Sequence, residues 1–275
     1  MDVAATLIEI LKAQPGFDPE RFDPDRFVAE LTDEQVEQLL APALAEQERA
    51  RYGKFESFFP DATHTLGGMT YHARDLYPKH LEFFRATKDY REVCFMAGNR
   101  VGKTIAGGYL TSVLLTGRYP DWWEGRRFRS RIDAWVAGDT NETTRDILQL
   151  ELLGEITYRK FRKTLDGSGL IPRECIGEVT WKQGVANLVD TIWIKHRTGT
   201  QSRLGFKSYD QGRRVFQGTA KHLIWLDEEC PQDVYGECLI RTATTNGIIP
   251  TTFTPLQGIS EVVMSFMDES MRLEV

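Results

Sequence analysis

Residues 97–104 read Ala-Gly-Asn-Arg-Val-Gly-Lys-Thr, a run of types suited to holding a chain of phosphates. Gly98 and Gly102 let backbone amides turn inward and approach phosphate oxygens closely, and Asn99, Arg100 and Val101 complete the arc between them. Lys103 would reach the β- and γ-phosphates, and the hydroxyl of Thr104 would hold Mg²⁺. The usual pattern G-x-x-x-x-G-K-[ST] puts its first glycine at position 97, but here that position is Ala97 and the glycine follows at Gly98. The anchor residues survive this deviation, so the run implies binding of ATP with Mg²⁺.

Further along, Leu223-Ile-Trp-Leu-Asp-Glu-Glu229 is apolar until it ends in three carboxylates. Consecutive acids at the tip of a buried strand are costly unless a cation is near. Asp227 stands where a direct or water-mediated Mg²⁺ ligand belongs, and Glu228 where a carboxylate can orient and deprotonate an attacking water, with Glu229 as the alternate. A third run, Ile248-Ile-Pro-Thr-Thr-Phe-Thr-Pro-Leu-Gln-Gly258, ends in hydroxyls and a Pro-Gly turn. Thr252 and Thr254 at such a strand end can hydrogen-bond the γ-phosphate or the water and so register hydrolysis. Upstream, Tyr77-Pro-Lys-His-Leu-Glu-Phe-Phe84 offers Tyr77 as a ring for adenine, or else a helix that packs Phe83 and Phe84 into the core. Charge developing on a transferred phosphoryl group calls for a guanidinium. The candidates are Arg100 in the loop itself, Arg213 with its neighbour Arg214 in a glycine-flanked segment that suits a subunit contact, and Arg145 on a helix.

These groups require a scaffold that brings the ends of several strands together. Candidate strands are 92–96, 132–137, 223–226 and 248–253, with helical patterns over 104–115 and 140–156. This alternation predicts an α/β fold, a mostly parallel sheet with crossover helices. Two alternating runs, 191–195 and 202–207, read as antiparallel additions at the sheet edge. Residues 1–60 read as a helical arm broken by Pro/Gly/Asp turns at Gln14–Pro19 and Phe22–Asp25. Within it, Thr32-Asp33-Glu34-Gln35 fits a capping box ahead of Val36, Leu39, Leu40, Ala43 and Leu44 at helical spacing. Pro42 should kink or restart that helix. The division that follows is an arm at 1–60, the nucleotide-binding domain at 61–260, and the start of a linker at 261–275.

Composition bounds the reading. With 275 residues, 41% of them hydrophobic, the chain can bury one large α/β domain and a small appendage. It carries no basic export start and no apolar run long enough to span a bilayer, which points to a soluble intracellular protein with no membrane role. The four cysteines lack CxxC spacing and read as packing residues. His64, His72 and His80 recur at a step that turns a helix by about 80°, which does not gather them around zinc. A net charge of −6 argues against coating nucleic acid with the whole surface and leaves room for a local basic patch.

With Gly98-Asn-Arg-Val-Gly-Lys-Thr104, Leu223–Glu229 and Thr251-Thr-Phe-Thr-Pro-Leu256 in this order, the chain resembles the ATPase domain of large terminase subunits of tailed bacteriophages. The resemblance runs from about Tyr71 to Gly258. It implies a RecA-like fold of the additional-strand (ASCE) P-loop class, to which the helical N-terminal subdomain read from residues 1–60 is added. It also implies an ATPase that moves double-stranded DNA into a procapsid, working as a homo-oligomeric ring on the portal protein with the small terminase subunit, in the host cytoplasm. The family's nuclease half should begin near where this chain ends, so no nuclease activity is expected of it. A helicase-like or DNA-repair ATPase with the same core is the alternative, although helicases carry a second RecA-like domain.

Overall fold

A computed structural model describes residues 32–255 and 260–267. The expected turns at Gln14–Pro19 and Phe22–Asp25, the turn at Leu256–Gly258 and residues 268–275 of the expected linker lie outside these residues, while its first part, Glu261–Met267, is helical with Val262 and Val263 buried. Helices α1 (Asp33–Tyr52) and α2 (Lys54–Ser57) are followed by a hairpin of β1 (His64–Leu66) and β2 (Met69–Tyr71). Then come α3 (Pro78–Asp89), β3 (Glu92–Met96), α4 (Lys103–Thr116) and β4 (Asp133–Gly138). A helical stretch of α5 (Asn141–Thr143), a π-helical segment Thr144–Gln149 and α6 (Leu150–Leu153) leads to a second hairpin, β5 (Ile156–Arg159) and β6 (Arg162–Leu165). The chain continues through β7 (Ile176–Trp181), β8 (Val189–Lys195), β9 (Gln201–Ser208), β10 (Leu223–Asp227), α7 (Gln232–Ala243), β11 (Ile249–Phe253) and α8 (Glu261–Met267).

The main sheet has seven strands in the order β3-β11-β10-β4-β9-β8-β7. From β3 to β9 all pairs are parallel, and β8 and β7 are antiparallel additions. The expected α/β class therefore holds, with one correction: the run at 202–207 belongs to the parallel part, because β9 pairs with β4 in the same direction. Alternation of apolar and polar residues reports which faces are covered, not which way a strand runs. β11 lies between the phosphate-loop strand β3 and the carboxylate strand β10, which is the additional-strand arrangement that the resemblance implies.

Both faces of the central strands are covered, as in parallel sheets generally. On β10, Leu223 and Trp225 join the core under α4, while Ile224 and Leu226 join the core under α7. Helix α4 is buried over nearly its whole length and approaches the sheet at Gly107, where an added Cβ would collide with the Trp225 ring. The capping box at the start of α1 is present: the Gln35 amide donates to Thr32 Oγ1 at 3.3 Å, and Gln35 Oε1 accepts from the Thr32 amide. Helix α1 runs on through Pro42 without ending there. Phe55 and Phe59 pack into the main core, Phe55 stacked on Tyr109 with ring centroids 5.3 Å apart. No described helix is long and apolar enough to cross a membrane.

Candidate functional site

The phosphate loop leaves the carboxyl end of β3 and ends at Gly102, which takes φ +84 and caps the buried helix α4. Arg100 also sits in the left-handed region at φ +62, an uncommon conformation for a side-chain-bearing residue. The start of α4 has no side-chain cap, and the free amides and positive dipole end there favour an anion. Beneath the loop, His80 is buried against Phe95 and Tyr77, and an added Cβ on Gly102 would come within 3.1 Å of its Nε2. Burial lowers the imidazole pKa, with the backbone at Val101 and Gly102 acting in the opposite direction.

Lys103 is only 8% exposed. Its ammonium donates to Gly98 O at 2.6 Å and to Thr254 Oγ1 at 2.8 Å, and Thr254 Oγ1 donates in turn to Asn99 Oδ1 at 2.9 Å. On the adjacent strand end, Thr252 Oγ1 donates to Asp227 Oδ1 and accepts from Trp225 Nε1 at 2.7 Å. The two threonines of β11 and its carboxyl-terminal extension thus touch the loop lysine and the carboxylate strand, one each.

Asp227 is 5% exposed, and burial pushes its carboxyl up to about 7. Hydrogen bonds from Thr252 and Thr104 and the nearby Lys103 pull down, while Glu228 adds to the rise. A carboxyl so placed, beside the Thr104 hydroxyl, fits a divalent cation: ligation would supply the charge compensation that its surroundings lack. The next residue, Glu228, is exposed at φ +62, with its amide donating to Thr252 O at 2.8 Å. Glu229 is half-buried, and its Oε2 has no hydrogen-bond partner among the described residues.

Tyr77 precedes α3 and helps line a cleft of about 330 Å³ with Tyr71, His80, Arg100, Val101 and Ile105. Phe83 and Phe84 are core residues, as the packing reading expects, while Tyr77 lines the cleft. The arginines separate. Arg100 lines the cleft. Arg213 Nε donates to Glu237 Oε2 at 3.0 Å on α7, and Arg145 is held by Asp146, with Nε to Oδ1 at 2.6 Å. Arg214 is exposed beside Arg213.

Two contributors escape a reading of the sequence. The β1–β2 hairpin supplies Met69–His72 to the cleft, and Gly67-Gly68 between alternating residues is the hairpin signal that could have found it. Tyr209, fully buried, donates to Asp227 O at 2.9 Å and Ala137 O at 3.3 Å, fixing the tip of β10, and no sequence signal marks it.

The terminase large subunit family of the T4likevirus type, in its N-terminal part, matches residues 94–273. The chain belongs to that family. Its phosphate loop, carboxylate strand and threonine strand all fall within or at the edge of the matched span. The large subunit of the terminase of Salmonella phage P22 is 40% identical over 70% of this chain and 41% of that protein, so this chain spans well under half of its relative. Among solved structures, the ATPase domain of the Thermus phage P74-26 large terminase is similar, with a TM-score of 0.45 and 15% identity over 66% of each chain. The large terminase of a second, thermophilic bacteriophage gives a TM-score of 0.43 and 10% identity, covering 64% of this terminase chain and 37% of that one.

Proposed function

We propose that this chain hydrolyses ATP and uses the cycle to drive double-stranded viral DNA into a procapsid. The observation that carries the reading is a pair of hydrogen-bond clusters side by side at the carboxyl edge of the sheet: Lys103 to Gly98 and Thr254 with Thr254 to Asn99, and Thr252 to Asp227. The loop amides and the start of α4 cradle the phosphates, and Lys103 exchanges its present acceptors for β- and γ-phosphate oxygens. Thr104 and Asp227 would hold Mg²⁺, which would neutralise the negative charge that develops during phosphoryl transfer. Glu228 orients the attacking water and takes its proton, with Glu229 the alternate. Because Thr254 loses its lysine when Lys103 turns to the γ-phosphate, β11 feels whether that phosphate is present. Tyr77 and the cleft beside it take the adenine.

For the guanidinium there are two assignments. Arg213 would act in trans on a neighbour's site after leaving Glu237, and Arg100, which lines the cleft, would act in cis. The partners that follow from the family are duplex DNA, the portal protein, the small terminase subunit and further copies of the chain in a ring, assembled in the host cytoplasm. No nuclease activity is expected of this chain: plasmid should stay intact with Mg²⁺ or Mn²⁺.

A triplex-displacement assay tests translocation against unwinding. A motor that tracks along duplex DNA strips a triplex-forming third strand while the duplex strands stay paired, in an ATP-dependent manner. Separation of the duplex strands would favour a helicase-like ATPase, and the absence of ATP-dependent displacement with portal present would overturn the motor reading.

A further inference from the structure

The hairpin of β5 and β6 stands apart from the catalytic network and has a different chemistry. Its tip reads Arg159-Lys160-Phe161-Arg162-Lys163, four cations and an aromatic ring within a protein of net charge −6. Three features of this tip are unfavourable for the chain by itself. Arg159 lies directly opposite Arg162 across the hairpin, and like charges so paired repel. Lys160 and Phe161 both take positive φ, +47 and +62, in a two-residue turn where Asn-Gly is the comfortable choice. Phe161 is fully exposed and Tyr158 is 70% exposed. The acid at the hairpin base is already engaged: Asp166 accepts from Arg51 at 3.1 Å and from the Glu155 and Ser168 amides. Lys163 is braced, its ammonium 4.1 Å from the Trp181 ring centroid and donating to Asn187 Oδ1 at 3.3 Å. Cations brought together at one hairpin tip, with an apolar ring in water, suit a polyanion with grooves.

We propose that this hairpin grips the backbone of duplex DNA, with Arg159, Lys160 and Arg162 on phosphates and Phe161 against the groove wall. Guanidinium forks match phosphate oxygens in geometry, and the major groove of B-form DNA, about 12 Å wide, admits a two-stranded ribbon. Phosphate contacts carry no sequence information, which suits a motor that must hold any stretch of its track. The inference rests on the DNA-motor reading and names the surface that would engage the track.

The test is anisotropy of a labelled mixed-sequence duplex titrated with the chain across a range of salt. Replacing Arg159, Lys160 and Arg162 together by alanine should flatten the slope of log affinity against log salt by about 2–3, since each lost phosphate contact removes about 0.9. Phe161→Gly should weaken binding several-fold at an unchanged slope. It should also raise Tm, because glycine accepts the positive φ. A purely structural tip would show the rise in Tm without the loss of binding. ATP hydrolysis in the absence of DNA should match wild type in all these variants.

Unchanged affinity and slope in the triple variant would overturn the proposal. So would a loss of self-association with DNA binding intact, which would make the hairpin a contact between copies, or binding to phosphatidylglycerol vesicles but not to duplex. A wild-type chain that hydrolyses ATP yet binds no duplex would also overturn it and leave the ATPase standing. Duplex binding through the hairpin without any ATP hydrolysis would instead strike the motor reading alone.

Discussion

At Lys103 the ammonium rests on two acceptors, Gly98 O and Thr254 Oγ1, which the proposed mechanism has it exchange for phosphate oxygens. Lys103→Ala should therefore abolish hydrolysis and tight nucleotide binding together, as isothermal titration with Mg·ATP would record. Glu228→Gln should behave differently, keeping Mg·ATP affinity while losing turnover by a factor of at least about 10²–10⁴, the range of general-base catalysis. Normal turnover in Glu228→Gln with loss in Glu229→Gln would move the base by one residue. Asp227 adds a pH dependence with a definite sign. Its folded-state carboxyl titrates at about 7, above the ordinary range, because it is buried. The neutral form is favoured by the fold, so its contribution to stability is full at low pH and is lost as pH rises through about 7. Without nucleotide, Tm should fall from about pH 4 to about pH 7 and level off above that, and Asp227→Asn should flatten that fall. Apparent Mg²⁺ affinity should run the other way, weakening by up to about tenfold per pH unit below 7, since ligation needs the carboxylate.

Among the elements, β11 matters most, because it lies between the strands that carry Lys103's loop and Asp227 and sends a threonine to each. Its position depends on the packing of α4 against Trp225, whose indole donates to Thr252. Gly107→Ala would push a Cβ into that ring and should cost about 1–3 kcal/mol in urea unfolding, the range for overpacking, with an unchanged m value. Full stability in this variant would mean that α4 can withdraw from the sheet at no cost. The strand ends of the candidate site are legible in the sequence, since an apolar run followed by glycines, carboxylates or hydroxyls reports both a buried strand and its polar tip. The loop at 97–104 and the strand at Leu223–Asp227 show this most clearly. Strand order and direction are not legible: β11 lies beside β3 although it is far away in the chain, and β9 runs parallel to β4 although its alternation resembles that of β8. The two small hairpins escape for opposite reasons. Gly67-Gly68 carries a turn signal that serves equally as a helix break, while Lys160-Phe161 carries no turn signal at all. Tyr209 fixes the tip of β10 through one hydroxyl, a contact that no spacing announces.

Two features stand out among the described residues of this acidic chain, the glycine loop with the neighbouring ends of β10 and β11 and the basic hairpin. A ring would bring a neighbour's guanidinium to the cleft, and a finger of this kind is worth about 10³–10⁵ in rate in related nucleotide hydrolases. If Arg213 is that finger, Arg213→Ala and Lys103→Ala subunits should each be inactive and regain turnover on mixing, because one keeps an intact loop and the other an intact finger. A mixture that stays inactive where wild-type subunits associate and turn over would give the role to Arg100 in cis. The central claim is that Lys103's site hydrolyses ATP in response to duplex DNA. It is tested most directly by phosphate release from the wild-type chain with portal present, with and without duplex DNA, beside Lys103→Ala under the same conditions. The account predicts release that rises with duplex DNA and vanishes in the variant. Equal rates with and without DNA, or release that survives the loss of Lys103, would contradict it.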